Sequence, residues 1–385
     1  MNGNKNLTKD FAVKKIIILV FVLFALSSCN KKYDNESKNI SLKNDCYTGK
    51  EYAKEVKFIK SVSDFPDLFE QQKIIHLETE KRSLIGRIDN LIYLPKQKRI
   101  VILDNSISKC VLIFDVHGKF ITRIGSNGKG PGEFVSPKSV AYGNNTLVIY
   151  SEELLKLLFY KLDGSFLKEI RLSQQGWRFA FDKMVINGKD LYGYTNNIYF
   201  NEDPHGNKHR VFKIKDFTHF ENAYGEVEDT YGIGDGNIVC FNGKVIFPSI
   251  FSGDIYQVSS DNKKTEVFSK LGVLTNTKDI ATSKNPIQFI RKNFGKMDYI
   301  WKLGVVKQFL FVVRPRKISV IDLQGNVINH NLKWGLKLPK GYEGVSITLG
   351  FVFYHDGIII ASTEKAKIIG NAVPNPSLIF YRLSK

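Results

Sequence analysis

Val111-Leu112-Ile113-Phe114-Asp115-Val116-His117-Gly118-Lys119-Phe120 is the stretch that decides the fold. An apolar, β-branched run ends in Asp-x-x-Gly and turns straight back, the pattern of a strand, a tight turn needing positive φ, and a returning strand. The same pattern recurs at Leu158-Phe159-Tyr160-Lys161-Leu162-Asp163-Gly164-Ser165-Phe166 and at Ile318-Ser319-Val320-Ile321-Asp322-Leu323-Gln324-Gly325-Asn326-Val327. Weaker copies fall at residues 211–220, without a glycine, and at 255–267, where Asp261-Asn262 supply the turn. A sixth strand of this kind, Leu378-Ile379-Phe380-Tyr381-Arg382-Leu383, has no returning partner after it.

Before each of these strands stands another hairpin, turning at Pro95-Lys96-Gln97-Lys98, Gly143-Asn144-Asn145, Asn187-Gly188-Lys189, Asn242-Gly243-Lys244, Lys307-Gln308 and His355-Asp356-Gly357. Two hairpins per unit, repeated six times, predict an all-β chain folded as a six-bladed β-propeller of four-stranded antiparallel blades. The last unit lacks its fourth strand, while an unassigned strand, Lys73-Ile74-Ile75-His76-Leu77-Glu78, precedes the first. Donating that strand to the last blade closes the ring and covers an edge that would otherwise pair with other chains.

The linker Ile124-Gly125-Ser126-Asn127-Gly128-Lys129-Gly130-Pro131-Gly132-Glu133-Phe134, with Pro137 and Ser139-Val140 after it, resembles the inter-blade connection of NHL-type propellers. The whole chain resembles the six-bladed, NHL- and TolB-like propeller lipoproteins of Gram-negative bacteria. Known NHL-like propellers include protein-binding, RNA-binding and a few lyase or hydrolase members, so the resemblance chooses no function. The glycine cluster itself is not a phosphate loop, because it leads into a strand and not into a helix N-terminus.

At the front, Lys14-Lys15 precede the apolar run Ile16 to Leu26 and then Ser27-Ser28-Cys29. This pattern predicts a lipoprotein signal over residues 1–28, with Cys29 lipidated; the run is shorter than a membrane-spanning helix needs. Residues 29–72 are expected to be a flexible tether and 73–385 the propeller. The expected address is the cell envelope, lipid-anchored, and Asn30 beside Cys29 leans it towards the outer membrane, with the side of that membrane undecided.

The formal charge is +18, and the segment before Cys29 holds only Lys5, Lys9, Lys14 and Lys15 against Asp10, so the mature chain stays strongly basic. Such a balance favours anionic partners by long-range steering, and export excludes nucleic acid as the partner. Four cysteines are few for a disulfide-built exported protein. Cys110 and Cys240 sit in apolar runs and read as small hydrophobes, Cys46 is unassigned, and no C-x-x-C spacing exists.

In a propeller, the connections between second and third strands and those between blades emerge on one face. Here that face carries nearly every long insertion, at residues 193–210, 271–299, 333–346 and 362–375, whereas the turns of the opposite face are short. Long loops on a rigid scaffold are where binding resides. The candidate ligand-binding residues are Trp177, Arg178, Asn196, Asn197, Arg291, Arg314 and Arg316, because guanidinium groups bind oxyanions bidentately and indole stacks on rings. His205 and His209 have i, i+4 spacing, but Pro204 and Gly206 argue against the helix that would make them converge on a metal. The sequence therefore predicts a non-catalytic binding or scaffold module for a protein, peptide or anionic glycan, with no cofactor and no metal ligands assigned. The alternative is a metal-dependent hydrolase or lyase with its site in the central channel, which the mostly apolar innermost strands disfavour.

Overall fold

The computed structural model describes residues 49–125, 128–172, 179–196, 205, 207–226, 238–259, 261, 264–276, 278–335, 337–344, 351–364 and 374–384. The chain divides into two units, Met1–Glu55 and Val56–Lys385, and the propeller is the second. Blade 1 consists of the strands Asn90–Leu94, Arg99–Asp104, Cys110–Asp115 and Phe120–Ile124, paired in that order from the channel outward. Blade 2 runs Pro137–Gly143, Thr146–Ser151, Lys156–Tyr160 and Phe166–Arg171, and blade 3 Lys183–Asn187, Asp190–Tyr194, His209–Lys215 and His219–Glu226. Blade 4 runs Val239–Phe241, Lys244–Pro248, Asp254–Val258 and Thr265–Lys270, and blade 5 Lys302–Val306, Phe309–Val313, Lys317–Ile321 and Val327–Lys333.

Blade 6 is assembled from both ends of the propeller sequence. Its inner position is split between two short strands, Tyr342–Gly344 and Val352–Tyr354, which pair with successive stretches of Gly357–Glu364. Ser377–Leu383 follows, and the outermost strand is Phe69–His76, antiparallel to it with Ile74 opposite Ile379 and Ile75 opposite Leu378. This is the closure that the unpaired sixth strand predicts. Asn375 fixes the junction: its side chain donates to the carbonyls of Glu78 and Ser83 at 2.7 and 2.8 Å and accepts from the Ile85 N–H at 2.9 Å.

Alternating residues on each strand point to either side of the blade, so apolar layers form between neighbouring blades. Leu91, Ile102, Leu112 and Phe114 of blade 1 meet Ile359, Leu378 and Phe380 of blade 6, together with Ile75 and Leu77. The seam between blades 5 and 6 is aromatic, and Phe65 enters it with ring centroids 5.2 Å from Phe351 and 6.1 Å from Phe311.

Phe65 also corrects the expected tether. In place of a flexible segment to residue 72, the chain forms an α-helix, Gly49–Ser61, and a 3-10 helix, Phe65–Leu68, and the closing strand starts at Phe69 instead of Lys73. Ile59, Phe65 and Leu68 are buried. Asn329 of blade 5 donates to the Ile59 and Val62 carbonyls at 2.8 and 3.1 Å, so residues from 59 onward are part of the propeller. Residues 1–48, including the expected signal, Cys29 and Cys46, lie outside the described residues.

The glycine linker behaves as a crossing between blades. Lys156, 1 % exposed, donates to the Lys129 and Gly130 carbonyls at 3.2 and 3.4 Å and pairs with Glu169 at 2.9 Å, while the Tyr160 hydroxyl donates to the Gly132 carbonyl at 2.6 Å. Backbone groups bent away from any ladder thereby receive partners from blade 2. Cys110 and Cys240 are free thiols, and burial pushes them up to about 11 and about 12, which removes the thiolate that reactivity requires.

Candidate functional site

Among the described residues, the turns of one face are short hairpins, and several latch neighbouring blades together. Asn144 donates to the Gly188 carbonyl at 2.8 Å, Asn187 to that of Gly243 at 3.0 Å, and the Lys307 N–H to that of His355 at 2.6 Å. The opposite face carries the long connections.

Its best-defined piece is the connection from blade 4 to blade 5. Two short helices, Lys278–Ala281 and Pro286–Asn293, and a 3-10 turn, Phe294–Lys296, fold over Ile280, Ile290, Met297 and Tyr299, which pack on Ile250 and Phe251 in the turn of blade 4. Asn285 caps the second helix by accepting from the Gln288 N–H at 3.0 Å, and Pro286 supplies the fixed φ suited to a first helical residue. Arg291 and Lys292 stand exposed on this insertion, and Arg316, from the neighbouring turn of blade 5, is exposed and donates to the Gly295 carbonyl.

Arg314 has a different place from its neighbour. Only 2 % exposed, it pairs with Asp298 at 3.1 Å and donates to the Ser319 hydroxyl at 2.9 Å and the His330 carbonyl at 2.8 Å. Its guanidinium holds the insertion to blade 5. Asn196 is buried, its N–H donating to Asp182 at 2.8 Å and its carbonyl accepting from Arg210 at 2.6 Å. Trp177, Arg178 and Asn197 lie outside the described residues; of the other four candidates, Arg291 is exposed on the insertion and Arg316 is exposed on the blade 5 turn that touches it. His209 is buried at the head of its strand and His205 is exposed. Among the described residues no three His, Cys, Asp or Glu side chains gather as a metal site.

Two carboxylates that the sequence reading passed over organise this face. Asp89 and Asp182 each immediately precede an innermost strand. Asp89 accepts from the Asn105 and Ser106 N–H groups, both at 2.8 Å, and Asp182 from Thr195 Oγ1 at 3.0 Å and the Asn196 N–H. Each fixes the turn between the second and third strands of its own blade. An Asp at the same offset before Asn90 and before Lys183 was the available signal. Lys138 of blade 2 bridges Asp182 at 3.3 Å and Glu152 at 3.7 Å; burial opposes its charge, but the two carboxylates outweigh that and hold the ammonium above its ordinary range.

These groups ring one mouth of a central channel of about 440 Å³, whose wall includes Ile92, Val140, Val185, Val239, Leu303 and Val352. Apolar side chains also protrude from this face. Among the described residues, Leu84, Ile107, Leu155, Val273 and Phe294 are exposed on connections of this face, the other large exposed hydrophobics, Phe166, Leu167 and Val267, are on outer strands, and none lies in a turn of the short-turn face. Val273 is 81 % exposed, and Leu155 is held at φ 47°, a left-handed conformation that a bulky side chain adopts at a cost of roughly 1–2 kcal/mol.

The blade pattern, the donated closing strand and the apolar channel define a six-bladed β-propeller. The chain belongs to the family described as a domain of unknown function, DUF4934, whose model matches residues 55–306. Among solved structures it is similar to a protein of Bacteroides fragilis NCTC 9343 described as exported, with 16 % identity, a TM-score of 0.59, and coverage of 84 % of this chain and 97 % of that one. It is also similar to a member of the DUF4221 family from Bacteroides vulgatus ATCC 8482, at 10 % identity and a TM-score of 0.53, covering 82 % and 97 %. At these identities the likeness carries the fold. No curated protein matches the chain.

Proposed function

We propose that this chain is an exported, lipid-anchored, non-catalytic propeller that binds a protein, peptide or glycan at the cell envelope through its long-connection face. The observation that carries the reading is that Leu84, Ile107, Leu155, Val273 and Phe294 are exposed on connections of that face, which also carries the exposed cations Arg291, Lys292 and Arg316. Exposed apolar groups cost free energy in water, and burying them against a partner recovers it. The basic, apolar and Ser-Ser-Cys signature before residue 30 supports export and lipidation at Cys29, and the Bacteroides fragilis neighbour described as exported agrees with it. Asn30 leans the address towards the outer membrane.

Two substitutions separate the parts of this reading. Cys29→Ala should move the chain from the membrane to the soluble fraction; persistence in the membrane fraction would remove the lipid anchor from the account. Val273→Asp and Arg291→Glu should each weaken partner binding at least tenfold in titration, with Lys96→Glu on the short-turn face neutral. Equal affinity in all variants would place the binding surface elsewhere.

A further inference from the structure

We propose that the short-turn face lies against an anionic membrane surface, which turns the long-connection face away from the bilayer. The observation that carries this is the charge of the inner turns, those joining the first and second strands of the blades. With the residue that opens each second strand, they hold six cations, Lys96, Lys98, Arg99, Lys189, Lys244 and Lys307, against two carboxylates, Asp190 and Asp356. Asp190 is committed to Lys213 at 2.9 Å. Lys96, Lys98 and Lys189 are exposed. Lys98 also lines a cleft between blades 6 and 1 together with Lys73, His76 and His117, and no carboxylate lines it. The five turns between third and fourth strands add no net charge in sequence, because Lys119, Lys161, Lys215, Lys263 and Lys264 balance Asp115, Asp163, Asp216, Asp261 and Asp322.

On the long-connection face, by contrast, carboxylates stand among the cations: Asp89 pairs with Arg87, Asp182 and Glu152 with Lys138, and Asp298 with Arg314. Shape separates the faces as well. The inner turns are tight and latched to one another, Asn144 to Gly188 and Asn187 to Gly243, which makes a low, rigid surface. Screening confines surface charge to about 10 Å at 0.1 M salt, so several lysines act together only on a partner flat enough to approach them all. A bilayer of anionic headgroups is such a partner, and each lysine near it strengthens binding about fivefold. Among the described residues no large exposed hydrophobic lies in these turns, so contact is by charge and not by insertion. Fully extended, residues 30–48 reach at most about 65 Å, so a lipid at Cys29 leaves the choice of face to the propeller's own surface. The attraction orients a chain that the lipid already holds at high local concentration; without the lipid, a salt wash releases it.

Co-sedimentation of the full mature chain carrying Cys29→Ala tests this with vesicles of equal parts phosphatidylglycerol and phosphatidylcholine, against vesicles of phosphatidylcholine alone. Binding to the anionic vesicles should be at least tenfold stronger at about 0.1 M salt and lost at about 0.5 M. Lys96→Gln combined with Lys189→Gln should weaken it at least tenfold. Arg291→Gln combined with Lys292→Gln removes the same charge from the opposite face and should leave the affinity unchanged. Equal binding to both vesicles would overturn the proposal by denying the charge attraction. Equal loss from the two pairs would overturn it too, since net charge would then act with no preferred face, and a larger loss from the Arg291 pair would reverse the orientation. A chain that fails these tests yet loses its partner on Val273→Asp would lose the membrane face alone.

Discussion

Gly118 and Gly325 close equivalent turns at φ 90° and 89°, and each is also a contact between blades. A Cβ at Gly118 would collide with the His76 carbonyl oxygen, and one at Gly325 with that of Phe268, both on the outer strand of the preceding blade. The carbonyls of the same two glycines accept from the Glu78 N–H and the Ser269 hydroxyl, both at 2.8 Å. Gly243, at φ 73°, has the conformation without the crowding. Gly243→Ala should therefore cost about 1–2 kcal/mol from backbone strain alone, and Gly325→Ala distinctly more; equal shifts in urea midpoint would deny the inter-blade contact. Asp104 supplies a second test. Burial raises its pKa, but the N–H groups of Ser108, Arg87 and Ile107 outweigh that and hold it below the usual carboxylate value. Its contribution to stability is thus fully present above about pH 4 and is lost as pH falls through the lower folded value. In Asp104→Asn the acid limb of the stability curve should flatten, and an unchanged limb would assign it to other groups. Turn residues such as Asp115, Gly118 and Asn144 were legible in the sequence because their chemistry is local. The burial of Arg314 was not, since Arg314-Pro315-Arg316-Lys317 reads as an exposed ligand-binding loop until Asp298 and the His330 carbonyl are brought to it.

At the scale of elements, the strand Phe69–His76 carries the ring closure. Its absence would expose both the edge of Ser377–Leu383 and the apolar side chains that meet Ile75 and Leu77. A chain beginning at Glu78 should lose cooperative unfolding or self-associate through that edge, as size-exclusion chromatography with light scattering and urea titration would show. A monomer with unchanged stability would contradict the closure. This strand was readable as a leftover meeting a gap, which is a counting argument and needs no contact information. The helix Gly49–Ser61 was harder, because its only apolar stripe within the propeller unit, Val56 and Ile59, is short among many charges, and its reason to fold is blade 5. The helix Pro286–Asn293 did carry a readable sign in Asn285-Pro286, a capping residue followed by a first-turn proline.

At the scale of the molecule, the two faces of one ring are built differently. Short turns that latch blade to blade make one face, and capped insertions, aligned carboxylates and protruding apolar tips make the other. Repeat and alternation reveal the ring because every blade restates them. The long-connection face resists sequence reading because its side chains come together from blades far apart along the chain, as Lys138, Asp182 and Lys302 do in lining one channel. The most direct measurement is photo-crosslinking in cells from a photoreactive residue at Ile107 or Val273, compared with one at Lys96 on the short-turn face. Adducts to one common partner from the first two positions and none from Lys96 are the predicted result. Adducts from Lys96 alone, or equally from all three, would contradict the assignment of the long-connection face as the binding surface.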